Sequence, residues 1–372
     1  MPKLTWEIIN YTQSNLDITQ YVRSLNFTLG RPSALSPYSG NTATITITNT
    51  ADQVQYAEIN DTIRLRATAT GGSAFFNFIG VIASRNFQDQ PGNADNSTAT
   101  ILINDSLLQA GMANFVAQSL SSTYLQISQI DTVLSQINIG DIYGTDAAMS
   151  VGTFTVNVGQ RLNEIFAGDR GVILNGGGDT NYYPPSKFGN LINANSPTFG
   201  RTTSATQIAY QSFDRVEAAS NSLFYTQATV TGSASTETKT SAALTTYGTR
   251  TFTATTAQSN LVSETAEWYA NAFSNPNTES VNISFTDIAQ NAAALNLFNW
   301  QVLANTRFAQ LSYTPPGGVS TTGYYWPEQI TVNATPAQTA ITMLMTPLTY
   351  YANFILNDAV FGVLDTDRLG VV

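Results

Sequence analysis

The sequence contains neither cysteine nor histidine. Without cysteine there is no disulfide, no thiolate nucleophile, no zinc finger and no iron–sulfur ligand set. Without histidine there is no Ser-His-Asp or Cys-His triad, no H-E-x-x-H zinc helix and no proximal haem ligand. Carboxylate chemistry, Ser-Lys chemistry and oxygen-ligated Ca²⁺ or Mg²⁺ are what these absences leave. Charge is also scarce, at 11% of residues against ~25% in a typical soluble chain. Only three lysines occur, Lys3, Lys187 and Lys239, and the net charge is −10. No Lys/Arg cluster exists to displace counterions from a nucleic acid or to hold an anionic membrane. No apolar run approaches the ~20 residues of a membrane-spanning helix. The opening Met1-Pro2-Lys3-Leu4-Thr5-Trp6 lacks an apolar segment of signal-peptide length, so no membrane anchor and synthesis in a reducing cytosol are expected. Sequons such as Asn10-Tyr11-Thr12 and Asn96-Ser97-Thr98 then read as by-products of an Asn/Thr-rich composition.

What the sequence does have is apolar bulk: 42% of its 372 residues are hydrophobic, with 19 Phe, 17 Tyr and 4 Trp. That is not the composition of a disordered chain. Thr, Ser, Asn and Gln supply the polarity that charges do not. Residues 1–104 read as a first β-domain. Thr42–Asn49 and Ile63–Ala67 alternate apolar and polar at period two, Phe75–Ala83 is a more buried strand, and Thr98–Asn104 alternates again. Gly71-Gly72 and Pro91-Gly92-Asn93 mark turns between them. Short strands with such turns fit an antiparallel barrel or sandwich.

Residues 105–215 read as a small α+β domain. Asp105 is placed to cap a helix bearing Leu108, Met112, Phe115 and Val116, a second helix carries Ile127, Ile130, Leu134 and Ile137, and a third carries Leu162, Ile165 and Phe166. A strand Val172–Leu174, a Gly176-Gly177-Gly178 turn and a Pro/Asn-rich loop follow. Residues 216–340 return to β pattern, with strands expected at Ser222–Thr231, Thr249–Thr253 and Val281–Phe285. One helix intervenes, presenting Leu261, Val262, Thr265, Ala266, Trp268, Tyr269, Ala272 and Phe273 on one face with Ser259 as its candidate cap. Residues 341–372 form a C-terminal extension. The fold class is mainly β with a minor α+β part.

Candidate chemistry is thin. Gly176-Gly177-Gly178-Asp179 lacks the Gly-Lys-Ser/Thr ending of a phosphate loop. Thr236-Glu237-Thr238-Lys239 has the wrong first residue for a Ser-x-x-Lys catalyst and lies in a polar run that reads as a loop; Ser186 and Lys187 are adjacent and point apart. Asp365 with Asp367 and Asp214 with Glu217 are the available carboxylate pairs, and nothing in their spacing makes them opposed catalysts. Asp52, Glu58 and Asp61 do not have the spacing of a Ca²⁺ loop. No catalytic, cofactor-binding or metal-binding residue is therefore assigned, and no cofactor. The aromatic clusters Tyr182-Tyr183-Pro184-Pro185 and Tyr324-Tyr325-Trp326 are either sugar-stacking platforms or parts of a core or subunit interface, where aromatics bring most area.

Several segments, taken in order, resemble one family. Asp17–Phe27, then Leu29-Gly30-Arg31, then Gly40-Asn41-Thr42-Ala43 to Asn49 resemble the opening of minor tail proteins of long-tailed bacteriophages: a strand, a Gly-Arg step and a "G-T-A-x-x-x-L-x-N" strand. Asn41 intrudes at the second position and Ile47 takes the Leu position. Gln160–Phe166 with Gly171–Leu174 is similar to the family's helix-then-strand, and Leu223–Val230 to its "L-Y-N-x-V-x-V" strand with Thr226 in place of Asn. Tyr247-Gly248-Thr249-Arg250 resembles its "Y-G-x-R" element and Phe361–Gly370 its "G-V-L-D-T-x-R-L-G" end.

The resemblance implies a tail-hub or baseplate-hub protein: two small tail-tube-like β-barrels joined by α+β elements, assembled as a homotrimer at the distal end of the tail tube. A hub of this kind adapts the six-fold tube to a three-fold tip in the virion, is assembled in the host cytoplasm, and is not an enzyme. Its implied partners are the tail tube or distal tail protein above and tip or fibre proteins below, with genomic DNA passing through without specific binding. A carbohydrate- or receptor-binding adhesin at the tail tip is the alternative, and no binding residue is assigned to either reading. Three copies would carry about −30, and a negative lumen repels phosphate.

Overall fold

The computed structural model describes residues 4–36, 40–69, 74–90, 92, 96–105, 108, 223–232, 234–256, 262–276, 280–286, 309–313 and 321–350, and, between 108 and 223, the strands named below. The first seven strands are β1 (Leu4–Asn10), β2 (Leu16–Asp17), β3 (Val22–Gly30), β4 (Thr42–Thr48), β5 (Thr62–Ala69), β6 (Ala74–Gln88) and β7 (Thr98–Asn104). They lie in the order β3-β4-β7-β6-β5-β1-β2, every neighbouring pair antiparallel. The period-two reading holds: Ala43, Ile45 and Ile47 of β4 and Ala99, Ile101 and Ile103 of β7 are buried, and the threonines between them face outward. β6 is long enough to serve two partners in succession. Its first half pairs with β5 and its second half with β7, with a register shift between Ile82 and Ser84. That stagger curls the sheet. Trp6 of β1 thereby meets Phe27 of β3 edge to face at 5.8 Å, and Phe27 meets Phe78 of β6 at 6.0 Å. The result is an open half-barrel with one aliphatic core.

Between the two β blocks the described elements are β8 (Tyr124–Leu125), β9 (Ala148–Met149), β10 (Val172–Gly176), β11 (Asp179–Tyr183), β12 (Thr198–Gly200) and β13 (Gln207–Ala209). β10 and β11 form a hairpin in which Gly176 faces Asp179; Gly177 and Gly178 of the expected turn lie outside the described residues. Leu108 N–H donates to Asp105 Oδ1 at 2.8 Å, the bond expected of a helix cap. The remainder of that helix, and the helices expected over 127–137 and 162–166, lie outside the described residues.

The second β block joins the first in a single sheet. β14 (Arg215–Ala218), β18 (Val281–Thr286), β21 (Thr339–Pro347) and β20 (Thr321–Ala334) pair in that order. On its flank away from β21, β20 pairs first with β19 (Ala309–Tyr313) through Thr321–Tyr325 and then with β3 through Gln329–Ala334. Between the two stretches the register shifts at Pro327/Gln329. Proline has no N–H for the ladder, and the extra residue is accommodated as a bulge.

A smaller unit sits beside this sheet. β15 (Gln227–Thr231) lies between β16 (Thr236–Thr240), antiparallel to it, and β17 (Thr251–Thr255), parallel to it; helix α1 (Leu244–Tyr247) lies on the connection and α2 (Val262–Ala272) packs against the sheet. The loop expected at 236–239 is a strand instead. Its threonines line an exposed face, where Thr229 and Thr238 bond across to β15 at 2.9 Å, and a strand edge needs no apolar alternation when that face is wet. The helix expected around 261–273 is present, with Val262, Thr265, Ala266, Tyr269 and Ala270 buried; its expected cap, Ser259, lies outside the described residues.

Candidate functional site

Among the carboxylates that the sequence offered for chemistry, Asp61 serves structure. Asp61 is buried, and its Oδ2 accepts from Asn10 Nδ2 at 2.6 Å, Gln13 Nε2 at 2.8 Å and the Glu58 N–H at 2.9 Å. Three donors on one oxygen make it a loop anchor. Asp52 is exposed on a turn. Among the described residues no group of three Asp or Glu could hold a metal ion. Asp214, Asp365, Asp367, Ser186 and Lys187 lie outside the described residues, as do Pro184 and Pro185; Glu217, Tyr182 and Tyr183 are placed on strands β14 and β11. In the second aromatic cluster Tyr325 and Trp326 are buried, so they pack a core and offer no stacking face.

What the fold brings together is a buried polar junction between the two β blocks. Gly30 ends β3 with φ of 85°, a left-handed conformation that suits glycine. The turn delivers Arg31 to the bulge of β20, where Glu328 is fully buried. The Arg31 N–H donates to the Glu328 carbonyl at 2.9 Å, its Nε donates to Glu328 Oε1, and its Nη1 donates to the Ser36 carbonyl at 3.2 Å. The Gly-Arg step read from the sequence is thus a clasp between β3 and β20. Glu328 itself was not legible: its partner is 297 positions away and no local pattern marks it.

Two departures from the family pattern also find their reasons. Asn41 is buried, donates from Nδ2 to Asp105 Oδ2 at 2.7 Å, and its carbonyl accepts the Asp105 N–H at 3.0 Å. It ties the start of β4 to the end of β7. Thr226, fully buried, donates its hydroxyl to the Gly248 carbonyl at 2.7 Å and accepts the Arg250 N–H at 2.9 Å. Gly248 has φ of 72°, and the Arg250 guanidinium lies 5.0 Å from the Phe224 ring centre. The Tyr-Gly-x-Arg element and the Leu223–Val230 strand therefore interlock.

Beyond the clasp, Trp326, Leu348 and Tyr350 from the large sheet's side and Ala34 join the core of the small unit. Tyr350 stacks on Phe273 with ring centres 4.5 Å apart. Burial pushes its phenol up to about 12, because the phenolate would lose its water.

No protein-family profile matches the chain, and no curated protein matches it in sequence. Its backbone, in contrast, is similar to solved tail proteins. A tail protein from Neisseria meningitidis MC58 superposes with a TM-score of 0.60 at 10% identity, covering 94% of this chain and 98% of that one. The 43 kDa tail protein of prophage MuSo2 from Shewanella oneidensis gives 0.57 at 10% identity, covering 94% and 99%. Prophage tail protein gp18 from Listeria monocytogenes EGD-e gives 0.51 at 8% identity, covering 91% and 94%. The chain has the fold of these tail proteins, the class that its own motifs resemble.

Proposed function

We propose that the chain is a structural virion protein of a phage tail tip. Three copies form a hub that adapts the six-fold tail tube to a three-fold tip and lets DNA pass. The observation that carries this reading is the fold shared with tail proteins over more than nine-tenths of the chain. The buried clasp, which spends its charged pair on joining two β blocks, supports a role in contacts. In this reading residues 1–104 and 216–340 furnish the two barrel-like units, 105–215 the α+β part and 341–372 a C-terminal extension. The neighbours are the tube or distal tail protein above and tip or fibre proteins below, joined in the host cytoplasm. The adhesin alternative loses one of its two aromatic platforms, since Tyr325 and Trp326 are buried.

The test is the mass of the full chain by light scattering, together with imaging of the assembled particle. A trimer, and three copies per tail at its distal end, are the expected results. A strict monomer that is absent from purified tails sinks the proposal.

A further inference from the structure

The outward face of the large sheet is divided by charge. On the β5–β1 flank it carries Arg66 and Glu7, 3.6 Å apart, and Arg64. Across the seven neighbouring strands β18, β21, β20, β3, β4, β7 and β6 the outward positions in the described residues hold Thr, Ser, Asn and Gln with Ala340, Leu102, Leu344, Ile79 and Val81, and no charged side chain. Arg23, whose Nε donates to Thr48 at 2.9 Å, marks one end. The other face of these strands packs the core, except at the end of β6 where Arg85 and Phe87 reach the surface, so the outward residues are free of core demands. The exposed face of the three-stranded unit is uncharged too, with Thr236, Thr238, Thr240, Thr251 and Thr253, while Glu237 and Lys239 lie on its half-buried face; three strands are too few for a stable contact, so extent singles out the large sheet.

The field is also ordered. Ser284, Thr342, Thr331, Thr28 and Thr42 stand in one row across five strands. Ser284 and Thr342 hydroxyls are 3.3 Å apart, those of Thr28 and Thr331 3.2 Å, and Asn26 bonds Asn333 in the adjacent row. Side chains bonded to each other lose little rotamer freedom, and leave few unsatisfied groups, when water is expelled.

We infer that this hydroxyl face is the contact surface for a second copy of the same chain, which deepens the trimeric reading above and rests on it. Chains of net charge −10 repel one another, and a contact through charged surface costs desolvation. The face without charge is where two copies meet at the lowest cost. Its extent suffices. Seven strands at ~4.8 Å spacing and six residues at ~3.4 Å give about 600 Å² in projection, and more along the corrugated side chains, near the ~800 Å² per partner of a stable interface. A phosphate backbone would be held by Lys or Arg, which this face lacks.

The absence of native cysteine makes single-cysteine variants clean reporters. Thr44→Cys and Thr331→Cys, on the face, and Thr245→Cys, exposed on α1, are reacted with a maleimide in the oligomer and in the dilute, dissociated chain. Labelling of the two face positions is expected to slow at least tenfold on assembly, and that of Thr245→Cys to stay the same. Thr44→Glu is expected to raise the dissociation constant at least tenfold with unchanged circular dichroism and melting temperature, and Thr245→Glu to leave it alone. Face cysteines that label equally fast in a demonstrated oligomer overturn this inference and leave the trimer standing. Crosslinking of the face to DNA in the particle does the same. A chain monomeric both alone and in tails overturns the trimer and this contact together.

Discussion

The two cores of this molecule solve packing by different means. The half-barrel is filled by branched aliphatic residues, Ile45, Ile47, Ile63, Leu65, Ile101 and Ile103 among them, each at an alternate position of a strand. The small unit is filled by alanines and aromatics: Ala228, Ala266 and Ala270 are fully buried, against Tyr269, Phe273, Trp326 and Tyr350. A sheet that curls on itself brings side chains together from several strands at similar distances, and β-branched residues fill that space while favouring the strand. A helix lying across three strands leaves a gap that narrows at the crossing and widens at its ends. Small alanines allow the backbones to approach, and rings fill the space that remains. The second core also borrows: Trp326, Leu348 and Tyr350 arrive from the end of the large sheet. The half-barrel core stays within the one large sheet, although Ile283, Ile330 and Met343 join it from the second β block, whereas the small unit takes part of its core from outside its own sheet.

Breaking the polar link between the two β blocks, beside this shared core, gives the largest expected effect. Glu328→Ala leaves Arg31 buried beside an empty site. Removal of one partner of a buried pair costs ~3–5 kcal/mol, and Glu328→Gln should recover part of it. Denaturant unfolding with tryptophan fluorescence measures this, since Trp326 lies two residues away. A loss below about 1 kcal/mol would mean that the two blocks are held by the β3–β20 ladder alone.

Phe273→Ala probes the borrowed core directly. Phe273 touches Tyr269, Trp268 and Tyr350 by ring contacts, and its truncation is expected to cost ~3–4 kcal/mol. The contrasting change, Ile101→Val in the half-barrel, should cost only ~1 kcal/mol, because one methyl is lost among many aliphatic neighbours. Equal losses would erase the distinction between the cores.

Alkali offers a third route. The Tyr350 phenol is raised from 10.0 to about 12, so the folded chain resists its ionisation. The stabilisation is complete below pH 10 and is lost as pH rises from 10 through 12, up to roughly 2.7 kcal/mol for a two-unit shift. Tyr350→Phe should flatten that part of the stability curve measured from pH 9 to 11.5. An unchanged slope would mean that Tyr350 does not titrate with the small unit's unfolding.

The same contrast decides how much was legible beforehand. Strands of period two declare themselves, and β4, β5, β7 and β18 fall where alternation put them. The α2 face was readable from its 3–4 spacing. Strand β16 was misread because it buries no apolar face, so Thr236–Thr240 carries only the β propensity of threonine. The Gly-Arg step and the Asn41 and Thr226 departures were visible as residues, but their meaning was not. Each works through a partner that the fold supplies: Glu328, Asp105, and the Gly248–Arg250 turn. Absence of histidine and cysteine narrows the available chemistry without assigning a role to what remains.

The smallest expected effect separates folding from assembly. Thr28→Val on β3 removes one hydroxyl of the outward row and its 3.2 Å bond to Thr331, keeping the β-branched shape that suits the strand. The position is half-buried, water reaches Thr331, and the lost bond is between two neutral groups, so monomer stability should change by no more than about 0.5 kcal/mol. Thr226→Val is the matched control within the other region. There the hydroxyl is fully buried between the Gly248 carbonyl and the Arg250 N–H, and ~1–3 kcal/mol should be lost because both groups remain without it. Chemical denaturation of the two variants side by side reads the difference. If Thr28→Val were as costly as Thr226→Val, the hydroxyl rows would belong to the fold itself, and their lack of charge would need no partner to explain it.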